Sequence, residues 1–135
     1  NTGIAIEEVV SPEEESQYLQ EFIEWMRFSY KLNVIKLNEW VESMSASGRE
    51  HQKAFLAYAL QMIRENFVLR FSSVTNHLTP EEITFSENFS GFIHEGNIQN
   101  LYQVLNKAYQ DIESNANVRI VLMDTSFKIH RLIKN

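Results

Sequence analysis

Residues 115–135 read NANVRIVLMDTSFKIHRLIKN, and whether this stretch is a strand or a helix decides the fold of the chain. Ile120, Val121, Leu122 and Met123 follow one another without a polar break. As a strand, residues 119–124 show no alternation of polar and apolar side chains, and no other stretch offers a convincing partner strand. As a helix, Asn115 closes the preceding element and Asn117 caps the new one. Val121, Leu122, Ile129, Leu132 and Ile133 then lie broadly on one side, with Ile120, Met123 and Phe127 on another. The β-branched run lowers helix propensity only slightly, and packing overrides it. Such a helix is apolar around more of its circumference than a surface helix needs. One side serves the domain's own core and the other a neighbour, with Arg119, Lys128 and Arg131 at the rim. Ile120, Met123, Phe127, Arg119 and Arg131 are therefore the candidate interface residues.

The rest of the chain agrees with a helical reading. Its 135 residues suit one domain with a single core, and 44% of them are apolar. Two prolines and four glycines are too little punctuation for a many-turned β-sandwich. Ser11-Pro12-Glu13-Glu14 marks a helix start, with Ser11 as cap and Glu14 completing a capping box. Leu19, Phe22, Ile23, Met26 and Tyr30 give that helix, over about 12–31, its apolar face, with Trp25 and Phe28 at or beyond its margin. Asn33 caps a second helix carrying Val34, Leu37, Trp40, Val41 and Met44 on one side. Ser45-Ala46-Ser47-Gly48 ends it, with Gly48 free to go left-handed.

A third helix runs from about Arg49 to Phe71, with Phe55, Leu56, Ala59, Leu60, Ile63 and Phe67 as its stripe. Thr79-Pro80-Glu81-Glu82 repeats the capping logic and starts a fourth over about 80–93, broken near Ser90-Gly91. After Gly96-Asn97, Ile98, Leu101, Tyr102, Leu105, Ala108, Tyr109 and Ile112 form the face of a fifth, ending at Ser114-Asn115. The expected architecture is an all-α bundle of five to six helices.

Composition narrows the function classes. Cysteine is absent, which removes disulfides, thiolate metal sites and cysteine nucleophiles. No run approaches the ~18 apolar residues of a membrane span, and no signal peptide is visible, so a cytoplasmic protein is expected. The chain starts on Asn1, which reads as a processed form or an excised piece of something longer. The net charge is −6, an unfavourable field for phosphate backbones, so direct nucleic-acid binding is not expected.

The motifs that suggest chemistry fail on detail. His94-Glu95 opens like a zincin helix, but Ile98 stands where the second histidine belongs. His51, His77, His94 and His130 show no i,i+4 pairing and read as surface or helix-end residues. Gly91 and Gly96 have the spacing of a phosphate-binding loop, but Asn97 and Ile98 replace its lysine and hydroxyl residue; the stretch reads as a helix–helix turn using glycine for backbone freedom. Glu13, Glu14 and Glu15 fall in a first helical turn facing water, without the apolar setting that would shift a catalytic carboxylate. Trp25, Trp40, Tyr18, Tyr58, Tyr102 and Met62 stand at helical spacing and are read as core. No catalytic, cofactor-binding or metal-binding constellation emerges.

Two stretches together carry a resemblance. One is the long helix from Gly48-Arg49-Glu50-His51-Gln52-Lys53-Ala54-Phe55-Leu56 through Ile63-Arg64-Glu65-Asn66-Phe67. The other is Asn115-Ala116-Asn117-Val118-Arg119-Ile120 with Leu122 and Asp124. Both resemble the carboxyl-terminal collar domain of clamp-loader δ′ subunits of bacterial DNA polymerase III, over most of the chain in helix order and count. Met123-Asp124 departs from the Leu-Glu pair of many such domains.

The resemblance implies a DNA-replication role without catalysis: packing against other clamp-loader subunits in the ring that places the sliding clamp on primed DNA. The nucleotide-binding, lid and zinc-binding parts of such an AAA+ subunit would lie outside this chain. Residues 1–10 would be the tail of a linker, and residues 11–135 the oligomerisation domain. Two other classes stay open: a stand-alone helical adaptor that holds a peptide in a groove, and a small helical enzyme.

Overall fold

The computed structural model describes residues 12–71 and 78–134, and these form an all-α bundle. Among the described residues six α-helices follow in order: α1 Pro12–Lys31, α2 Val34–Ala46, α3 Arg49–Leu69, α4 Pro80–Phe89, α5 Ile98–Glu113 and α6 Val118–Lys134. A 3-10 turn at Ser90–Phe92 extends α4, where the sequence places a break. The Ser11 cap with its Glu14 capping box, the linker over residues 1–10, and His77 lie outside the described residues. No described helix is long and apolar enough to cross a membrane.

Two sharp reversals set the path of the chain, and both use the same backbone device. At the end of α5, Asn115 takes a left-handed φ of 68°. Its N–H donates to the Ile112 carbonyl, and the Ala116 N–H to the Asp111 carbonyl, which is the Schellman pattern for ending a helix. Two residues on, Asn117 Oδ1 accepts from the Ile120 N–H at 3.0 Å and caps α6. The Asn-Ala-Asn stretch is therefore a stop and a start with one residue between them.

The α1–α2 corner compresses this by one residue. Leu32 is left-handed at φ 52°, Leu32 N–H donates to Ser29 O and Asn33 N–H to Phe28 O, and Asn33 Oδ1 caps Lys36 N–H. A leucine is strained there, because its Cβ crowds the following carbonyl by about 1–2 kcal/mol. Leu32→Gly removes that strain, with part of the gain lost to the entropy that glycine gives up on folding. It is expected to raise the unfolding free energy by roughly 0.5–1 kcal/mol in urea denaturation. A loss of stability would mean that the Leu32 side chain holds the corner by packing.

Gly48 follows the C-cap Ser47 with a φ of 95° and a ψ of 158°, a positive-φ conformation open to glycine, and it also stands directly before α3. The carbonyls at the end of α2 are met by Ser47, whose N–H and Oγ donate to Met44 O, and from α3, where buried Gln52 donates to Met44 O and Ser45 O. Gly91 and Gly96 have no positive φ, so backbone freedom is not why glycine occurs there. At Gly96 the reason is space, since a Cβ would approach the His94 ring at 3.0 Å.

The core gathers around two tryptophans. Trp25 stacks on Trp40 at 4.8 Å with nearly parallel planes, and both rings tilt onto Phe55. Trp25, set at the margin of the apolar face by spacing alone, is fully buried. Its indole N–H donates to Ser126 Oγ at 2.8 Å, and Ser126 donates in turn to the Leu122 carbonyl. Trp40 N–H donates to the Glu21 carbonyl. These contacts join α1, α2, α3 and α6 with both indole donors satisfied.

α4 is held by the expected capping box. Thr79 Oγ1 accepts from Glu82 N–H, and Glu82 Oε1 accepts from Thr79 N–H. The other Glu82 oxygen accepts from Tyr58 OH at 2.5 Å and so anchors α4 to α3. Phe85 and Phe89 meet the edge of Phe22 on α1. α3 ends at Leu69, short of Phe71, which is exposed.

Candidate functional site

The direction of the helices decides which residues share a face. Trp25–Ser126 and Ser29–His130 are contacts with a constant offset in sequence, so α1 and α6 run parallel. α1 and α2 form an antiparallel hairpin, with Trp40 reaching back to Glu21. Hence α2 and α6 are antiparallel neighbours, and Arg119 Nη2 paired to Glu42 Oε1 at 2.6 Å marks their register. Moving seven residues from that pair, about 10.5 Å along each helix, sets Ile35 level with Ser126 and Phe127.

An apolar ridge follows on the outer face of this helix pair. Ile120 is 68% exposed and Ile35 is 74% exposed, with Val34 and Leu32 also open to solvent. Phe127 is half-buried yet not packed into the core. Ile120 and Phe127 are one heptad apart and lie opposite the buried stripe of α6, which is Leu122, Thr125, Ser126, Ile129 and Ile133.

Of the five candidate residues from the sequence, Ile120, Phe127 and Arg131 share this outward face. Met123 does not. It is half-buried against the core, because its neighbours Leu122 and Ser126 turn that flank inward. Arg119 is exposed at the edge of this face and is paired with Glu42 of its own chain.

Val34, assigned to the core side of the second helix by spacing, is exposed since it occupies the first turn beyond the packed zone. Tyr102, read as core, is 45% exposed. Ile35 was the residue that spacing did not place. The signal available was its position seven residues before Glu42 on the same stripe, and only the tertiary structure reveals the partner of Glu42.

The three described histidines, His51, His94 and His130, each make a specific contact. His51 Nε2 sits 2.9–3.0 Å from both carboxylate oxygens of Glu21 and so joins α3 to α1. His130 Nδ1 faces the Ser29 and Tyr30 carbonyls at the end of α1 and donates to them. His94 Nδ1 accepts from Gly96 N–H. Tyr18 packs against the His51 and Tyr58 rings. Burial holds its phenol above the usual tyrosine range, and the Glu14 and Glu21 carboxylates add to that. Among the described residues no group of three His, Asp or Glu is placed to hold a metal ion.

Asn97, which the sequence offers only as punctuation, is a buried connector. Its Oδ1 accepts from His94 N–H, and its Nδ2 donates to Phe92 O at 2.7 Å and Leu132 O at 3.0 Å. It thereby ties the loop before α5 to the last turns of α6.

Comparison with protein-family models, with curated proteins and with solved structures gives no match. What the sequence and fold define together is an all-α bundle whose second and last helices leave an apolar outer ridge.

Proposed function

We propose that this domain is a subunit-assembly module of a clamp loader, of the δ′ collar type, acting in DNA replication by packing against other loader subunits and without catalysis of its own. The observation that carries this reading is the outward ridge of Ile120 and Phe127 on a helix whose opposite face is fully committed to the core. Isolated exposed apolar residues are ordinary, but a ridge continued by Val34 and Ile35 on the adjacent helix is the form of an interaction surface. The Asn-Ala-Asn corner supports the resemblance, because both asparagines perform the stop and the cap that such a corner needs. No membrane attachment or nucleic-acid contact is assigned, and a cytoplasmic setting goes with the replication role.

Size-exclusion chromatography of the chain with the remaining loader subunits tests the reading. Co-elution is expected, and the Ile120→Glu/Phe127→Glu pair is expected to abolish it while leaving the circular dichroism spectrum unchanged. Burying either carboxylate against an apolar partner costs several kcal/mol, enough to weaken association at least ~100-fold. Met123→Glu does not serve this purpose, since it would also disturb the core edge. Failure of the wild-type chain to join any loader subunit would favour the stand-alone adaptor.

A further inference from the structure

A second surface shares no residue with the ridge. Between α1 and α4 lies an open groove of about 730 Å³, floored by Leu19, Ile23, Met26, Phe85, Phe89 and Phe92. Phe22 meets Phe85 and Tyr30 meets Phe92, so α4 travels beside α1 in the same direction. Glu81, also on the groove, stands one turn before Phe85 and is level with about Tyr18 of α1. Arg27 and Lys31 line the other end, about 14 and 20 Å beyond that level. Lys134 approaches the same end, with its ammonium 4.7 Å above the Tyr30 ring. Glu81, Arg27 and Lys31 are exposed, and none makes an ion pair among the described residues. The groove is an apolar trough with an acidic end and a basic end.

Charge and hydrogen bonding together select what can lie in it. Both walls are helices with their backbone groups paired internally, so there is no free edge for an extended strand to join. A strand laid on the apolar floor would leave its own N–H and C=O groups without partners. A helix satisfies those groups itself and turns only side chains toward the floor. An acyl chain with a carboxylate head would use the basic end and leave Glu81 unanswered. An occupant that answers both ends carries one charge of each sign.

On a helix, residues i, i+4, i+7 and i+11 share one face. The step from i to i+11 spans about 16 Å, within the separation between Glu81 and the two cations. A basic residue at i, apolar residues at i+4 and i+7, and an acidic residue at i+11 match acid, floor and base in turn. With its basic residue first, such a helix also brings its positive dipole end to Glu81 and its negative end to Arg27 and Lys31.

We propose that the α1–α4 groove binds an amphipathic helix of a partner protein, with a basic residue against Glu81 and an acidic residue against Arg27 and Lys31. This does not depend on the clamp-loader reading, because the ridge lies elsewhere on the bundle.

The probe is a capped synthetic helix of about 16 residues, with Lys, Leu, Leu and Glu at those four positions and Ala and Gln elsewhere. A second peptide carries Lys in place of that Glu. In amide spectra of the full isotope-labelled 135-residue chain, the first peptide should shift Ile23, Arg27, Phe85 and Asn88 while Ile35 and Ile120 stay in place. The all-basic peptide should bind roughly tenfold more weakly, since like charges then meet at Arg27 and Lys31. Arg27→Glu/Lys31→Glu should invert that preference. Circular dichroism checks that this surface variant folds, and the comparison of the two peptides on the wild-type chain stands without it. No groove shifts at about 1 mM peptide, where even weak binding registers, equal affinity for the two peptides, or shifts centred on Ile35 and Ile120 would overturn the proposal. Decanoate moving the same amides at lower concentration than the first peptide would assign the groove to an apolar anion and overturn it equally.

Discussion

Replacing Trp25 with alanine is expected to cost about 4 kcal/mol of unfolding free energy, within the ~3–5 kcal/mol range for deleting a large buried aromatic. Trp25 is wholly inaccessible to solvent, stacks on Trp40 and tilts onto Phe55. Its removal opens a cavity where α1, α2, α3 and α6 converge, and none of those helices can close it without dragging the others. That loss is a large share of the roughly 5–15 kcal/mol that typically holds a domain together.

The hydrogen bond to Ser126 is separable from the packing. Ser126→Ala leaves the Trp25 N–H buried without an acceptor and should cost about 1–3 kcal/mol. Trp25→Phe removes the donor and leaves Ser126 still bonded to the Leu122 carbonyl. In the double variant Trp25→Phe/Ser126→Ala no orphan remains, so the two losses should add to more than the measured total by roughly 1 kcal/mol. Urea unfolding followed by far-ultraviolet circular dichroism reads all four corners of this cycle. Strict additivity would mean that the 2.8 Å contact contributes nothing beyond shape.

This pair also shows where sequence reasoning reaches its limit. Helix positions, caps and turns were legible because they are local. Thr79 with Glu82, Asn33 and Asn117 each cap as their sequence neighbourhoods suggest. Apolar spacing found the stripes of α3 and, apart from Tyr102, of α5 for the same reason. What it could not show is a polar residue used inside the core. Ser126 and Thr125 lie in the middle of the buried stripe of α6, so counting apolar residues rotates that helix slightly and carries Met123 to the wrong side.

The same rule placed Val34 inward, although the packed zone of α2 starts a turn later at Leu37. The ridge was half visible, through Ile120 and Phe127. Its continuation by Ile35 depends on the antiparallel approach of α2 to α6, marked by the Arg119–Glu42 pair across 77 residues of sequence separation. The apolar groove beside α4 was invisible for a similar reason, since its two walls come from helices far apart in the chain.

Asn97→Ala is expected to cost about 3 kcal/mol, though nothing in the sequence distinguishes Asn97 from an ordinary loop asparagine. The side chain is buried and meets three backbone groups: the His94 N–H and the Phe92 and Leu132 carbonyls. Alanine strands all three, at roughly 1 kcal/mol or more for each, and releases the loop before α5 from the end of α6.

Asn97→Asp gives a sharper test because it changes chemistry at nearly constant shape. A carboxylate can still accept from His94 N–H, but it sets a negative charge against two carbonyl oxygens that had been receiving hydrogen bonds. Burial and those dipoles disfavour the anion, so the folded-state pKa of the introduced carboxyl would rise above the ordinary aspartate value of about 3.9. Protonation restores a donor toward Phe92 O or Leu132 O. The variant should therefore recover stability relative to wild type as pH falls through the raised folded pKa toward about 4, and be weakest at neutral pH and above. Thermal unfolding of wild type and variant between about pH 4 and pH 8, the span over which such a raised pKa lies, measures the difference. A gap independent of pH would show that the carboxylate escapes to water, and that Asn97 does not hold the last turns of α6 to the loop.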